Sequence, residues 1–194
     1  MFDIPVVLFI FKRLKAVDVV KRIGCVQPRK LYIIADGGRT PTEIEECNNC
    51  RKAVESAVTW DCEIIRNYAT TNRGVFENIG LGAKWVFEHE ERAIFLEDDN
   101  LPVVSFFGFC QEMLKLYADD ERILWICGTN YLGNTKYTSD SYYFTRHMFP
   151  CGWASWSTKF IKFYDPYVAD CIDEKLCENI RYIMNNNKLF RQYK

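Results

Sequence analysis

The run Glu97-Asp98-Asp99-Asn100 follows directly on the apolar stretch Ala93-Ile94-Phe95-Leu96. Adjacent carboxylates repel one another unless something positive sits among them. A divalent cation answers that need. Hard oxygen ligands suit Mg²⁺ or Mn²⁺, and these ions reach a protein through one or two carboxylates plus substrate phosphates. The apolar stretch reads as a buried strand of an α/β sheet, and open α/β sheets bind ligands beyond the carboxyl ends of their strands. The plainer alternative is a solvated acidic turn.

Other polar groups fall at the ends of other apolar runs. Phe11-Lys12-Arg13 closes the first, Asp36-Gly37-Gly38 the second, and Arg66-Asn67, followed by Asn72-Arg73-Gly74, the third. Gathered on one rim beside a metal, they suit a nucleoside diphosphate. Asp36 would accept from a base or ribose, Arg66 or Arg13 would pair with phosphate, and Phe11 would pack on the base. Singly each is weak: Asp36-Gly37-Gly38 also reads as a plain turn, and Arg66 as a solvated charge.

These residues need elements to hold them. Val6–Ile10, Lys30–Ala35, Cys62–Arg66, Ile94–Leu96 and Ile123–Cys127 read as strands. Helical spacing covers Val17–Ile23, Val75–Glu88 and Ser105–Tyr117. Another helix opens at Thr40-Pro41-Thr42-Glu43, with Thr40 as cap, Pro41 in the first turn and Glu43 reaching back to the cap's amide. Strands alternating with helices predict a single α/β domain with a mainly parallel sheet covered on both faces. The last third is aromatic from Tyr142 to Trp156, then helical and polar. The aromatic block reads equally as a sugar-stacking wall or as core, with Trp153 the residue expected to be exposed because Gly152 permits close approach.

The 194 residues are 48% hydrophobic and 26% charged, as in a globular chain, and the net charge of −1 gives no reason to expect nucleic acid. The early apolar run Ile4–Phe11 is too short to span a membrane and lacks the features of a signal peptide. The nine cysteines are scattered, which fits a reduced, cytoplasmic setting. Cys47-Asn48-Asn49-Cys50 has no second pair or neighbouring His to complete a zinc site and reads as structural. His89 and His147 have no ligand-like neighbours.

With these motifs the sequence resembles glycosyltransferases of the GT-A fold, in the inverting group related to family-2 enzymes and to N-acetylglucosaminyltransferase I. The resemblance runs through the first strand ending near Arg13, Ile34-Ala35-Asp36-Gly37, the pattern Arg66…Asn72-x-Gly74…Asn78…Gly82, Phe95-Leu96-Glu97-Asp98-Asp99 and Trp153-Ala154-Ser155-Trp156. It implies a Rossmann-like sheet, with residues 1–130 as the nucleotide-sugar half and 131–194 as the acceptor half. Glu97-Asp98-Asp99 stands where the family has its DxD-type motif. Asp99 would ligate Mn²⁺ or Mg²⁺ and Asp98 would contact ribose or sugar. Asp36 would bond the nucleobase, Arg66, Asn72 and Asn78 would line the nucleotide site, and Gly152-Trp153 would border the acceptor.

The implied reaction moves a sugar from a nucleoside-diphosphate sugar to a carbohydrate or glycoconjugate acceptor, in the cytoplasm or at the cytoplasmic face of a membrane. It needs a carboxylate base downstream of the aromatic segment. Asp165 leads, ahead of Asp170, Asp173 and Glu174. Relatives continue past this point with a further acidic motif, so the resemblance also implies an incomplete acceptor side. The alternative is a module that binds a nucleotide sugar without turnover, or a partner of an active transferase. A sugar nucleotidylyltransferase would want a glycine-rich loop after the first strand, and Phe11-Lys12-Arg13-Leu14 has no glycine.

Overall fold

The computed structural model describes residues 2–130, 133 and 140–166. Its sheet has six strands in the order β3-β2-β1-β4-β6-β5. These are β1 (Val6–Ile10), β2 (Lys30–Ala35), β3 (Glu63–Tyr68), β4 (Arg92–Glu97), β5 (Ile126–Cys127) and β6 (Trp153–Trp156). β1 pairs in parallel with β2 and β4, and β2 in parallel with β3, whereas β6 runs antiparallel to both β4 and β5. β1, buried at every residue, shows why such strands read as unbroken apolar runs: helices cover both faces.

Strand alternation assigns the faces. Val6, Leu8, Ile10, Leu31, Ile33, Ile94, Leu96, Ala154 and Trp156 point into one core with α1 (Ala16–Gly24), α2 (Pro41–Ser56) and α4 (Ser105–Leu116). On the other face Phe95 meets Phe87 of α3 (Gly82–Phe87), and Trp153 meets Phe160 of α5 (Ser157–Phe163).

Several expectations are corrected. β3 runs on to Tyr68, so Arg66 lies within the strand opposite Ile33 and not at its end. The helix expected from Val75 begins as a π-turn, Phe76–Leu81, before tightening into α3. At Gly82 an added Cβ would sit 3.1 Å from Phe9 and 3.2 Å from Ile34, so a side chain there would crowd the sheet. The fifth strand shrinks to Ile126–Cys127; upstream of it, Ser155 Oγ donates to the Leu124 carbonyl at 2.8 Å in place of a ladder bond. Trp153–Trp156, read as a possible sugar wall, is a strand. Thr40 caps α2 by accepting from Glu43 N–H at 3.2 Å, but the Glu43 carboxylate takes the Arg39 amide at 3.0 Å and not that of Thr40.

Residues Met1–Phe163 form one compact unit, and Tyr164–Lys194 separate from it as a second. Asp170, Asp173, Glu174 and the polar C-terminal helix expected from sequence lie outside the described residues. Among the described residues no helix is long and apolar enough to cross a membrane.

Candidate active site

The sheet changes direction of growth at β1. β2 lies on one side of it and β4 on the other, and the chain leaves both β1 and β4 at the same rim. This is where an open parallel sheet presents a crevice. The loop after β1 carries Phe11, Lys12 and Arg13; β4 ends on Glu97, and the loop after it carries Asp98 and Asp99.

The two loops are clasped together. Asp98 Oδ2 accepts the Phe11 amide at 3.2 Å, and Asp98 Oδ1 accepts from Arg13 Nη1 at 3.0 Å. The same nitrogen donates to Asp99 Oδ2 at 2.6 Å. Asp98 is buried, and burial pushes its carboxyl above the ordinary carboxylate range even though Arg13 and the Phe11 amide pull it down. Glu97 is also pushed up, by burial first and then by Asp99 and Asp98. The Arg13 guanidinium is held more firmly protonated, chiefly by Asp98. The pairing is therefore favourable, but it does not cover the cost of the buried acids.

Neighbouring charges fix the rest of the β1 loop. Lys12 Nζ meets Glu43 at 2.9 Å and Glu46 at 3.3 Å, and Arg39 makes two side-chain bonds to Glu43 at 2.6 and 2.8 Å. These donors hold the Glu43 carboxyl far below its usual range, hydrogen bonds from Arg39 and Lys12 leading. Lys12 Nζ and the Arg39 guanidinium carbon lie 5.6 and 5.8 Å from the Phe11 ring centroid. Cys50 donates its thiol to the Arg13 carbonyl at 3.4 Å. Burial pushes that thiol up to about 12, so it stays a donor and the Cys47/Cys50 pair packs structurally, both residues being buried. Arg22 Nη1 reaches the Pro102 carbonyl at 2.8 Å and ties the loop after β4 to α1.

Asp36 is held by donors of its own surroundings. It is 6% exposed. Oδ1 accepts the Gly37 amide at 2.8 Å and the Arg73 amide at 2.7 Å; Oδ2 accepts Asn72 Nδ2 at 2.9 Å and the Gly74 amide at 3.1 Å. A carboxylate has about four lone-pair sites. Four donors are met inside the fold, so Asp36 organises the 72–74 loop. Asn72 is brought to Asp36 as expected, and it also donates to the Gly37 carbonyl at 2.9 Å. Gly37 and Gly38 are not a plain turn either. A Cβ on Gly37 would lie 2.4 Å from the Thr71 backbone, and one on Gly38 2.4 Å from the Ile44 amide nitrogen.

Arg66 is not brought to the rim. Its guanidinium pairs with Glu55 Oε2 at 2.7 Å and caps the Ile64 carbonyl of its own strand at 3.2 Å. Asn78 is buried in the π-turn, and its Oδ1 is enclosed without a hydrogen-bond partner. That atom does not open on the rim. Trp153 is 4% exposed, stacked between Phe95 at 3.9 Å and Trp125 at 3.8 Å. The expectation that Trp153 is exposed is overturned, because the ring ladder across β4, β6 and the residues before β5 uses both of its faces. Gly152 adopts φ +66 beside Asn100 and Phe106, where its Cβ would make ordinary contacts at 3.6 Å. Asp165 is exposed and belongs to the second unit.

Sequence reasoning missed Arg51. Its Nη2 donates to the Asp36 carbonyl at 3.0 Å and the Ala69 carbonyl at 2.8 Å, bolting together the chain just beyond β2 and β3. Its place one turn after buried Cys47 was the available signal. A cavity of ≈1380 Å³ opens between α4 and residues 122–130 and 140–149, with Phe109, Tyr117, Trp125, Tyr142 and Phe144 in its walls. The exposed part of the aromatic block, Tyr143, Phe144 and Met148, belongs to this groove.

A comparison of the sequence with known protein families and with curated proteins finds no match.

The donor set at the rim suits a hard cation. Asp99 is exposed, its side chain 60% accessible. Its Oδ2 takes Arg13, while Oδ1 accepts no hydrogen bond among the described residues. No cage of three or more acidic, His or Cys ligands exists among the described residues. A cation here would therefore have one carboxylate of the described residues to rest on.

Proposed function

We propose that the chain is a glycosyltransferase that binds a nucleoside-diphosphate sugar in the crevice between the ends of β1 and β4 and passes the sugar to an acceptor hydroxyl with inversion. The observation that carries this reading is the clasp of Arg13 by Asp98 and Asp99. It sets an exposed guanidinium and an exposed carboxylate side by side at the point where the sheet changes direction.

Phe11 offers a half-buried ring for the base, steadied by the fixed cations Lys12 and Arg39. Arg13 supplies a planar fork for a phosphate. Asp98 fixes the loop that carries both, through the Phe11 amide. Asp99 would hold Mn²⁺ or Mg²⁺, which supplies stabilisation of the charge that develops on a departing diphosphate. Inversion takes a single displacement, so the protein needs one base for the acceptor hydroxyl and no nucleophile. That base is to be sought among the carboxylates that follow the aromatic segment in the sequence. The groove walled by Phe109, Tyr117 and Tyr142 offers ring faces on which an acceptor sugar can stack.

The test is incubation with a panel of nucleotide sugars and Mn²⁺, following release of free nucleoside diphosphate with and without sugar acceptors. Release that depends on both Asp99 and an added acceptor, with the sugar recovered on that acceptor, supports transfer. Tight binding without release would make the chain a nucleotide-sugar-binding module.

A further inference from the structure

We propose that Arg13 is an exchangeable counter-ion: in the free chain it neutralises Asp98 and Asp99, and it leaves Asp99 for the donor's diphosphate when a divalent cation is taken up. This rests on the nucleotide-binding reading above and adds to it a coupling between the two ligands.

The two arms of the clasp are unequal. The Asp98 side chain is 10% accessible and is also held by the Phe11 amide. The Asp99 side chain is 60% accessible, that of Arg13 57%, and Asp99 has Arg13 alone as its ionic partner among the described residues. Exposed pairs of this kind are weak, because solvent screens them and both side chains lose freedom. Arg13 can therefore release Asp99 at little cost while Asp98 keeps the loop in place.

Charge decides where Arg13 goes. One guanidinium against the three carboxylates of Glu97-Asp98-Asp99 leaves two negative charges uncompensated. An incoming diphosphate would add more negative charge to a rim that already repels it. Nearby Lys12 and Arg39 are committed to Glu43 and Glu46, so they do not close the gap. A divalent cation at Asp99 balances the count, but a guanidinium on the neighbouring oxygen of the same carboxylate would repel it. The diphosphate resolves the conflict, since its oxygens accept the Arg13 fork. Each ligand thus favours the other through Arg13, and such a coupling is reciprocal.

The experiment measures Mn²⁺ affinity by electron paramagnetic resonance, alone and with uridine or guanosine diphosphate, in the wild type and in Arg13→Met. Arg13→Met is expected to bind Mn²⁺ alone several-fold more tightly, because the competitor is gone. With Mn²⁺ saturating, it is expected to bind the better nucleotide at least roughly tenfold more weakly, having lost a charge-assisted fork. Arg13→Gln, which preserves more of the polar stem, is expected to show the same crossing. Weaker binding of both ligands in both variants, or unchanged Mn²⁺ affinity, would mean that Arg13 only props the loop and would overturn the inference. A wild type that binds both ligands without the crossing sinks this inference alone; one that binds neither sinks the nucleotide reading as well.

Discussion

Asp36 spends four hydrogen bonds on its own surroundings, three of them from backbone amides. Its replacement is therefore felt first in stability. Asp36→Asn turns one acceptor oxygen into a donor facing Asn72 or an amide, and leaves buried N–H groups unpaired. A loss of about 2–3 kcal/mol is expected in urea unfolding. A residue that only touched a nucleobase would leave unfolding unchanged. Trp153 gives a parallel test. Trp153→Ala removes the middle ring of the Phe95–Trp153–Trp125 stack and is expected to cost about 3–5 kcal/mol. A variant as stable as the wild type would return Trp153 to the surface role that its neighbour Gly152 suggested.

At the scale of elements, the end of β4 and the loop after it carry a half-buried and a buried acid, Glu97 and Asp98, whose folded forms hold protons more tightly than unfolded ones. For Glu97 and Asp98 the folded pKa is raised, so their contribution to stability grows as pH falls from neutrality toward the ordinary carboxylate range of about 4. Glu43 and Asp120 act in the opposite sense and at lower pH. Their pKa values are depressed, Asp120 to about 2 by Arg122, so their stabilisation is lost only below that range. Metal-free urea midpoints between pH 7 and 5 are expected to rise in the wild type relative to Glu97→Gln. Parallel profiles would show that Glu97 carries no such strain. These elements also show what the sequence could tell. β1, β2 and β4 are legible because burial on both faces forces an unbroken apolar run. β3 is a sheet edge with polar Arg66 and Asn67 inside it, so its end was placed too early and Arg66 was assigned to a rim it does not reach. β6 was hidden because Trp and Phe serve a core and a sugar wall equally well. The acid triplet was legible as a local anomaly of charge, but its partner Arg13 stands 85 residues from Asp98, and no local pattern reports such a pairing. The 72–74 loop was legible only as a motif; that Asp36 is its anchor follows from three-dimensional donor geometry.

For the whole molecule, the account joins a mainly parallel sheet, two loops clasped together at its change of direction and a rim whose acids exceed their built-in cation. Each part also occurs in proteins that bind no nucleotide, so the central claim is metal-linked binding of a nucleoside diphosphate at the β1–β4 rim. The most direct measurement is a calorimetric titration of the chain with uridine and guanosine diphosphates, with Mn²⁺ and with chelator, in the wild type and in Asp99→Asn. The account predicts binding of at least one nucleotide that needs Mn²⁺ and falls by about tenfold or more in Asp99→Asn, with the variant as stable as the wild type or more so in the absence of metal. Equal binding by wild type and Asp99→Asn, or no binding of any nucleotide with Mn²⁺ present, would contradict it.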